Sequence, residues 1–313
     1  MVSYITRRFL LLIGVVFGVT VMTFMLIHLA PGDNAEMIAI ARYGMENLTA
    51  DQIEQIRVAE GLDTSIWIQY FHWLSNAIHG DFGRSLVTGN PVLQEIVVRI
   101  PATLKLAFVS LVVSLIIAIP AGIISAVKQY SALDYLTMTG ALIGASMPNF
   151  WLGLLLILLF SVKLGWLPVF GYGSFKYFIL PSITLGTGLA AITTRLIRSS
   201  MLEVLKQDYI VTARSEGLHE GKIIYHHAIK NAFIPIVTVI GLQLGHLLEG
   251  TVVVEYIFAW PGLGKLLVDS IFARDLLMIQ ACVILFAVFF ILINLIVDIT
   301  YCYLDPRIRY KKE

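Results

Sequence analysis

The sequence predicts an all-α integral membrane protein with six transmembrane helices and both termini on the cytoplasmic side. Three observations carry this expectation. Hydrophobic residues make up 58% of the 313-residue chain and charged residues 14%, whereas soluble globular domains carry about 25% charged residues. Six segments supply the run of about 20 mainly apolar residues that a helix needs to cross the hydrocarbon core. Lys and Arg collect at the ends of those segments in a pattern that the positive-inside rule assigns to one side of the membrane. A net charge of +1 offers no electrostatic case for nucleic acid.

The first span covers residues 9–29 behind Arg7 and Arg8. Its apolar run is longer than a signal-peptide core, and Ile27-His-Leu-Ala-Pro31 offers no small-x-small cleavage site, so an uncleaved helix is expected. Residues 31–101 form the long outer segment. There Asp33, Glu36, Glu46, Asp51, Glu54, Glu60, Asp63, Asp81 and Glu95 outnumber Arg42, Arg57, Arg84 and Arg99. Thr49-Ala-Asp-Gln52 is a capping-box pattern that opens a short helix, and Gly61 closes it. Residues 66–78 then repeat apolar side chains at helical spacing with several aromatics. Such a helix either lies in the membrane interface or packs on the spans.

Spans follow at 104–126, 136–162, 178–197, 233–254 and 279–303. Lys128 follows the second, and Arg195, Arg198, Lys206, Arg214, Lys222 and Lys230 surround the fourth-to-fifth connection. Arg307, Arg309, Lys311 and Lys312 close the chain. With six spans all these groups fall on the cytoplasmic side. The expected organisation is a first helix with a cytoplasmic N-terminus (1–30), an extracytoplasmic segment with short amphipathic helices (31–101), a five-helix core (102–304) containing a cytoplasmic loop (200–232), and a cytoplasmic tail (305–313). Ser146-Met-Pro-Asn149 is predicted to bend the third span at Pro148, since proline removes a helical hydrogen bond. Cys282 and Cys302 fall on one apolar segment, roughly 30 Å apart if it is one helix, and read as small membrane hydrophobes.

The polar insert 200–232 reads as helix, turn, helix. Residues 200–213 continue the fourth span, Gly217 and Gly221 can supply the turn, and 222–232 form a second polar helix. Pro235 is expected at the start of the fifth span, where its missing N–H costs least. No Gly-x-x-x-x-Gly-Lys-Ser/Thr phosphate loop occurs in the chain. A function that needs ATP would therefore draw on a partner, for which this insert offers a surface.

Asp208-Tyr-Ile-Val-Thr-Ala-Arg-Ser-Glu-Gly217, followed by His227-Ala-Ile-Lys-Asn-Ala-Phe-Ile-Pro235, resembles the coupling-loop signature of ABC importer permeases, and in particular the dipeptide/oligopeptide/nickel branch. The likeness extends along the chain. It includes Ile5-Thr-Arg-Arg8, Pro31-Gly-Asp33, Gly80-Asp-Phe-Gly-Arg-Ser85, Ser146-Met-Pro-Asn-Phe-Trp151, Arg198-Ser-Ser-Met-Leu-Glu203, Glu255-Tyr-Ile-Phe-Ala-Trp-Pro-Gly-Leu-Gly264 and Asp305-Pro-Arg-Ile-Arg309. It implies a type I ABC importer permease fold and a coupling helix over 209–216. Tyr209, Thr212, Ala213, Arg214 and Glu216 would belong to that helix and Gly217 to its turn. Where the wider superfamily has Glu-Ala-Ala, this chain has Thr212-Ala-Arg214, so no glutamate contact is assigned.

The resemblance also implies a non-enzymatic subunit without a cofactor of its own. Its partners would be a second homologous permease subunit in a heterodimer, two cytoplasmic ATP-binding subunits holding ATP and Mg, and an extracytoplasmic solute-binding protein. The setting would be the lipid bilayer of a bacterial or archaeal cytoplasmic membrane. The implied solutes are di- or oligopeptides or nickel, free or chelated, with glutathione or another small peptide-like solute as the alternative.

Polar groups inside a span mark candidate path residues. The fifth span offers Gln243, His246 and Glu249 beside Gly241, Gly245 and Gly250, and Asn149 follows the predicted bend. His246 with Glu249 is the intramembrane pair able to meet a cation, or equally a peptide amine. Asn294 and Asp298, four apart, suit interhelical bonding. His226 and His227 are adjacent and point apart on a helix, so they read as polar surface, as do His72 and His79. Gly144-Ala-Ser-Met147 superficially suggests an intramembrane serine protease, but no surrounding motif supports it. An ion-coupled secondary transporter predicts matching interrupted helices in both halves, which the sequence does not show.

Overall fold

The computed structural model describes residues 2–29, 32–43 and 49–304. The first four helices are α1 (Val2–Leu29), α2 (Asn34–Tyr43), α3 (Ala50–Ala59) and α4 (Ile66–Ile78). Next are α5 (Val92–Val127), α6 (Ala132–Ser146), α7 (Asn149–Leu156) with a π-helical extension Ile157–Lys163, and α8 (Phe175–Val204). The chain continues through α9 (Asp208–Ser215), the short α10 (Glu220–Lys222), a π-helical stretch Ile223–Ala228 and α11 (Ile229–Ile257). It closes with α12 (Leu263–Ala273) and α13 (Leu276–Leu304). Among the described residues β pairing is limited to an isolated bridge between Arg84 and Pro91. The fold is all-helical, as composition predicted.

Each apolar segment lies on a helix. Among the described residues α5, α8 and the Leu276–Val297 part of α13 are individually long and apolar enough to cross a membrane. α6 and the α7 extension pass the same test as a pair bent by 107°. The break falls where the sequence placed it, with Pro148 extended at ψ 137° as the residue before α7.

The chain divides into two compact units, Met1–Ala102 with Pro261–Leu292, and Thr103–Trp260 with Ile293–Glu313. In the first, Thr49 and Gln52 close the expected capping box at the start of α3, and Gly61 leaves that helix at φ +66°. An Arg57–Asp33 ion pair at 2.5 Å ties α3 to the start of α2. α4 packs one face on α1, where buried Tyr70 meets Thr20 at 2.9 Å and stands edge-on to Phe24. Its other face, with Trp67, Ile68 and Phe71, is exposed. Val92 and Ile96 of α5 join Leu263, Leu266, Met278 and Cys282 in a second core. Asp275 accepts a 2.5 Å bond from Ser85, which gives the Gly80–Ser85 motif a structural purpose.

In the second unit α8 is the central helix, packed by α6, α7 and α11. Small residues let these helices approach closely. A Cβ on Gly250 of α11 would lie 2.7 Å from Leu185 Cδ1 of α8, and one on Gly122 of α5 2.6 Å from the Cβ of Ile197. Trp260, from the Glu255–Gly264 motif, is fully buried between Tyr172 and Phe178, with ring centroids at 4.8 and 4.5 Å.

Three expectations need correction. The second polar helix over 222–232 is not a separate element: α10 and the π-helical stretch run straight into α11. Pro235 therefore lies inside α11 rather than at the start of a span, and Gly221 sits within α10 without the positive φ that Gly217 adopts. The π-helical stretch leaves no mark in the composition, because a π turn adds one residue without any proline or glycine signature.

Candidate coupling site

α9 is amphipathic on a small scale. Ile210 and Ala213, three apart, face inward and are buried in a core with Ile197, Met201, Ile223, Ala228 and Ala232. Tyr209, Val211, Thr212, Arg214 and Ser215 stay exposed, and so does Glu216 at the end of the helix. The element spans Asp208–Ser215, one residue earlier than the 209–216 read from the sequence, with Glu216 as its C-cap. Gly217 follows at φ +78° with open space around it. Leu218 N then donates back to Ala213 O at 3.2 Å, which closes the turn.

Two side-chain links hold α9 to its neighbours, and a third joins the helices on either side of it. Asn231 Nδ2, on α11, donates to the Tyr209 hydroxyl at 2.9 Å. Arg214 Nε donates to Glu220 Oε1 at 2.6 Å across the Gly217 turn, and this bond holds the Glu220 carboxyl below its usual value. Ser200 Oγ donates to the Ala232 carbonyl at 2.9 Å, joining the end of α8 to α11. Above them, Arg198 of α8 grips Asp134 of α6 with two nitrogens at 2.7 and 2.8 Å, and Asp134 also accepts from Ser125 of α5. α9 is thus packed against α8, through Ile197 and Met201, and bonded to α11, through Asn231.

The candidate path residues occupy different surroundings. Gln243 is buried on α11, its Oε1 accepting from Thr193 of α8 at 3.3 Å. Glu249 is exposed on the same helix. Asn149, half-buried at the start of α7, comes against α11 at Gly250, where a Cβ would lie 3.2 Å from its Nδ2. The side chains of His246 and Asp298 lie outside the described residues, as does Cys302. Among the described residues no group of three or more His, Cys, Asp or Glu is placed to hold a metal ion. His226 is exposed on the π-helical stretch beside α9.

The family model of the binding-protein-dependent transport system inner membrane component matches residues 118–310, and that of its N-terminal membrane component matches residues 1–107. The chain belongs to this permease family. It is a multi-pass inner-membrane permease subunit of an ABC importer, whose ATP hydrolysis takes place on separate ATP-binding subunits. The permease is 48% identical over 311 residues to the glutathione transport system permease protein GsiC of Escherichia coli strain K12, covering 99% of this chain and 100% of that one. The GsiC protein of Shigella flexneri serotype 5b is 47% identical over the same coverage.

Two solved structures share the permease's fold. The MetNI methionine ABC transporter in an inward-facing conformation superposes with a TM-score of 0.58 at 18% identity, covering 68% of this chain and 97% of that one. An amino acid ABC transporter with histidines gives 0.53 at 14% identity, covering 67% and 94%.

Sequence reading had missed the residues that position α9 in this permease. Asn231 and Asp134 are ordinary polar residues until folding brings them to Tyr209 and Arg198. The one available signal was an acid, Asp134, shortly before a strongly apolar run, where an unpaired charge is costly.

Proposed function

We propose that this permease carries glutathione or another small peptide-like solute across a bacterial cytoplasmic membrane, on delivery by a solute-binding protein. The observation that carries the solute class is the 48% identity to a glutathione permease along essentially the whole chain. In this reading the chain has six spans with both termini inside and pairs with a second homologous permease subunit. Two ATP-binding subunits hold ATP and Mg. The exposed face of α9, with Tyr209, Thr212, Arg214 and Glu216, docks on one of them, and Ala213 anchors the helix from within.

The mechanism follows from rigid linkage. The two ATP-binding subunits approach and separate, which biases the permease between two states. α9 moves with the subunit it touches. Ile210, Ala213 and the Asn231–Tyr209 bond pass that motion to α11, which carries Gln243, His246 and Glu249. Those three residues and Asn149 line the solute path when the two permease subunits are together. A cation or a peptide amine is what His246 and Glu249 are suited to meet.

The test is uptake by proteoliposomes containing the full complex and its binding protein. Labelled glutathione, a dipeptide and nickel are compared with ATP inside or absent. ATP-dependent glutathione accumulation supports the assignment. Nickel uptake without peptide uptake, or accumulation that ignores ATP, would sink it.

A further inference from the structure

We propose that α4 is immersed in one leaflet of the bilayer beside α1, with Trp67, Phe71 and Ile78 against lipid acyl chains and His72 and Asn76 turned to water. α4 has 13 residues, so at about 1.5 Å per residue it is about 20 Å long. That is short of the roughly 30 Å hydrocarbon core. The helix therefore enters the membrane without crossing it.

The depth of α4 is set by its contacts on α1. The apolar run of α1 covers residues 9–29, and Thr20, near the middle of it, meets the Tyr70 hydroxyl at 2.9 Å. The other contacts fall inside the same run. Phe17 and Tyr70 have ring centroids 6.1 Å apart, Phe24 and Trp73 5.9 Å, and His28 Nε2 lies 3.0 Å from Gln69 Oε1. A helix resting above the membrane would touch only the end of that run. The polar groups along the contact are paired within the protein, as a place out of water requires. Thr20 Oγ1 donates to the Phe17 carbonyl at 2.7 Å, and Gln69 Nε2 donates to the carbonyls of Leu62 and Thr64.

The part of α4 that α1 leaves uncovered is divided by chemistry. Trp67, Phe71 and Ile78, at steps of four and seven residues, share one face and are exposed. His72 and Asn76, one step of four apart, are exposed on another and border a cavity with the carboxylates of Glu60 and Asp81. Exposed Ile68 lies at the boundary between the two faces. A helix held among protein, lipid and water needs these three faces. The apolar one continues the surface of α1. Exposed Phe17 and exposed Phe71 both stand edge-on to the buried Tyr70 ring, at 6.1 and 5.3 Å. α1 also exposes Ile13, Met22 and Leu26, so the surface that a spanning helix turns to lipid extends onto α4. Tryptophan, as at position 67, is favoured where acyl chains meet head groups.

The assembled complex in nanodiscs is spin-labelled at Trp67→Cys, Phe71→Cys, Ile78→Cys, His72→Cys or Asn76→Cys. The unsubstituted protein, treated alike, gives the background from Cys282 and Cys302. Relaxation is measured with oxygen, which concentrates among acyl chains, and with chromium oxalate, which stays in water. Labels replacing Trp67, Phe71 and Ile78 should respond to oxygen over chromium oxalate, and those replacing His72 and Asn76 the reverse. A preference for chromium oxalate on the apolar face overturns the immersion. Protection of that face from both reagents also overturns it, and points to a covering protein such as a second permease subunit. One preference shared by all the labelled positions removes the division into faces. Native fluorescence is the second readout, free of labels. In nanodiscs with brominated acyl chains, Trp67→Phe should lose part of the quenched intensity of the wild type, and equal quenching overturns the proposal.

Discussion

Arg198 and Asp134 meet across 64 residues of chain in a two-pronged ion pair, Nε to Oδ1 at 2.7 Å and Nη2 to Oδ2 at 2.8 Å. The pair clamps α8 to α6 shortly before the chain leaves α8 for α9. Asp134 is nearly fully buried and its partner is mostly buried. Breaking such a pair by removing one partner costs about 3–5 kcal/mol, because the other charge is left without compensation. Asp134→Ala should therefore lower the unfolding temperature of the complex and cut uptake. Asp134→Ala combined with Arg198→Met should recover part of the stability. A melting series in detergent reads both outcomes, and an unchanged single variant would remove the clamp from the mechanism.

Gly217 turns the chain after α9 at φ +78°. Open space surrounds the position, so a side chain there meets backbone strain rather than a clash. Left-handed backbone costs an ordinary L-residue roughly 1–2 kcal/mol, a β-branched one more, and Asn least. Gly217→Val should insert normally yet lose solute uptake per ATP hydrolysed, whereas Gly217→Asn should retain most of it. Uptake and stimulated ATPase activity measured on the same vesicles decide this. A valine variant with normal coupling would rule out the turn as a rigid element.

Tyr209 reports on the link to α11. Removing its hydroxyl leaves the helix packed by Ile210 but breaks the 2.9 Å bond from Asn231. One such bond contributes about 1 kcal/mol net. Tyr209→Phe and Asn231→Ala should each weaken coupling modestly, and the double variant should be little worse than either. A double-mutant cycle on coupled uptake tests this; additive losses would show that the two residues act separately.

Gly122 sets how closely α5 approaches α8. The first added carbon would stand 2.6 Å from Ile197 Cβ and 2.9 Å from the Thr194 carbonyl, so neither helix can yield by turning a side chain. Gly122→Ala should destabilise the complex by about 1–3 kcal/mol, the usual cost of overpacking. Gly140→Ala, with open space at its Cβ, should be neutral. Melting temperatures of the pair provide the comparison.

Much of this arrangement was legible beforehand. The Thr49–Gln52 capping box, the helix over 66–78, the break at Pro148 and the turn at Gly217 all appear where local chemistry placed them. Each depends on a few adjacent residues. The merger of the second polar helix into α11 was not legible, since a π-helical stretch carries no residue signature. The surroundings of Gln243 were equally hidden. Helical spacing groups it with neighbours on its own helix, yet its bonding is decided by Thr193 on another.

The sequence by itself determined the solvent of this protein, the positions of its helices and its membership of a permease family. Hydrophobicity, capping and turn chemistry act over a few residues and can be read in order along the chain. Only the tertiary structure decided which polar groups were paired. It joined Asp134 to Arg198 and Tyr209 to Asn231, and it left the Gln280 amide buried with no acceptor among the described residues. Those outcomes depend on which helices pack together, and packing of apolar faces is nearly indifferent to the single polar residues it brings into register.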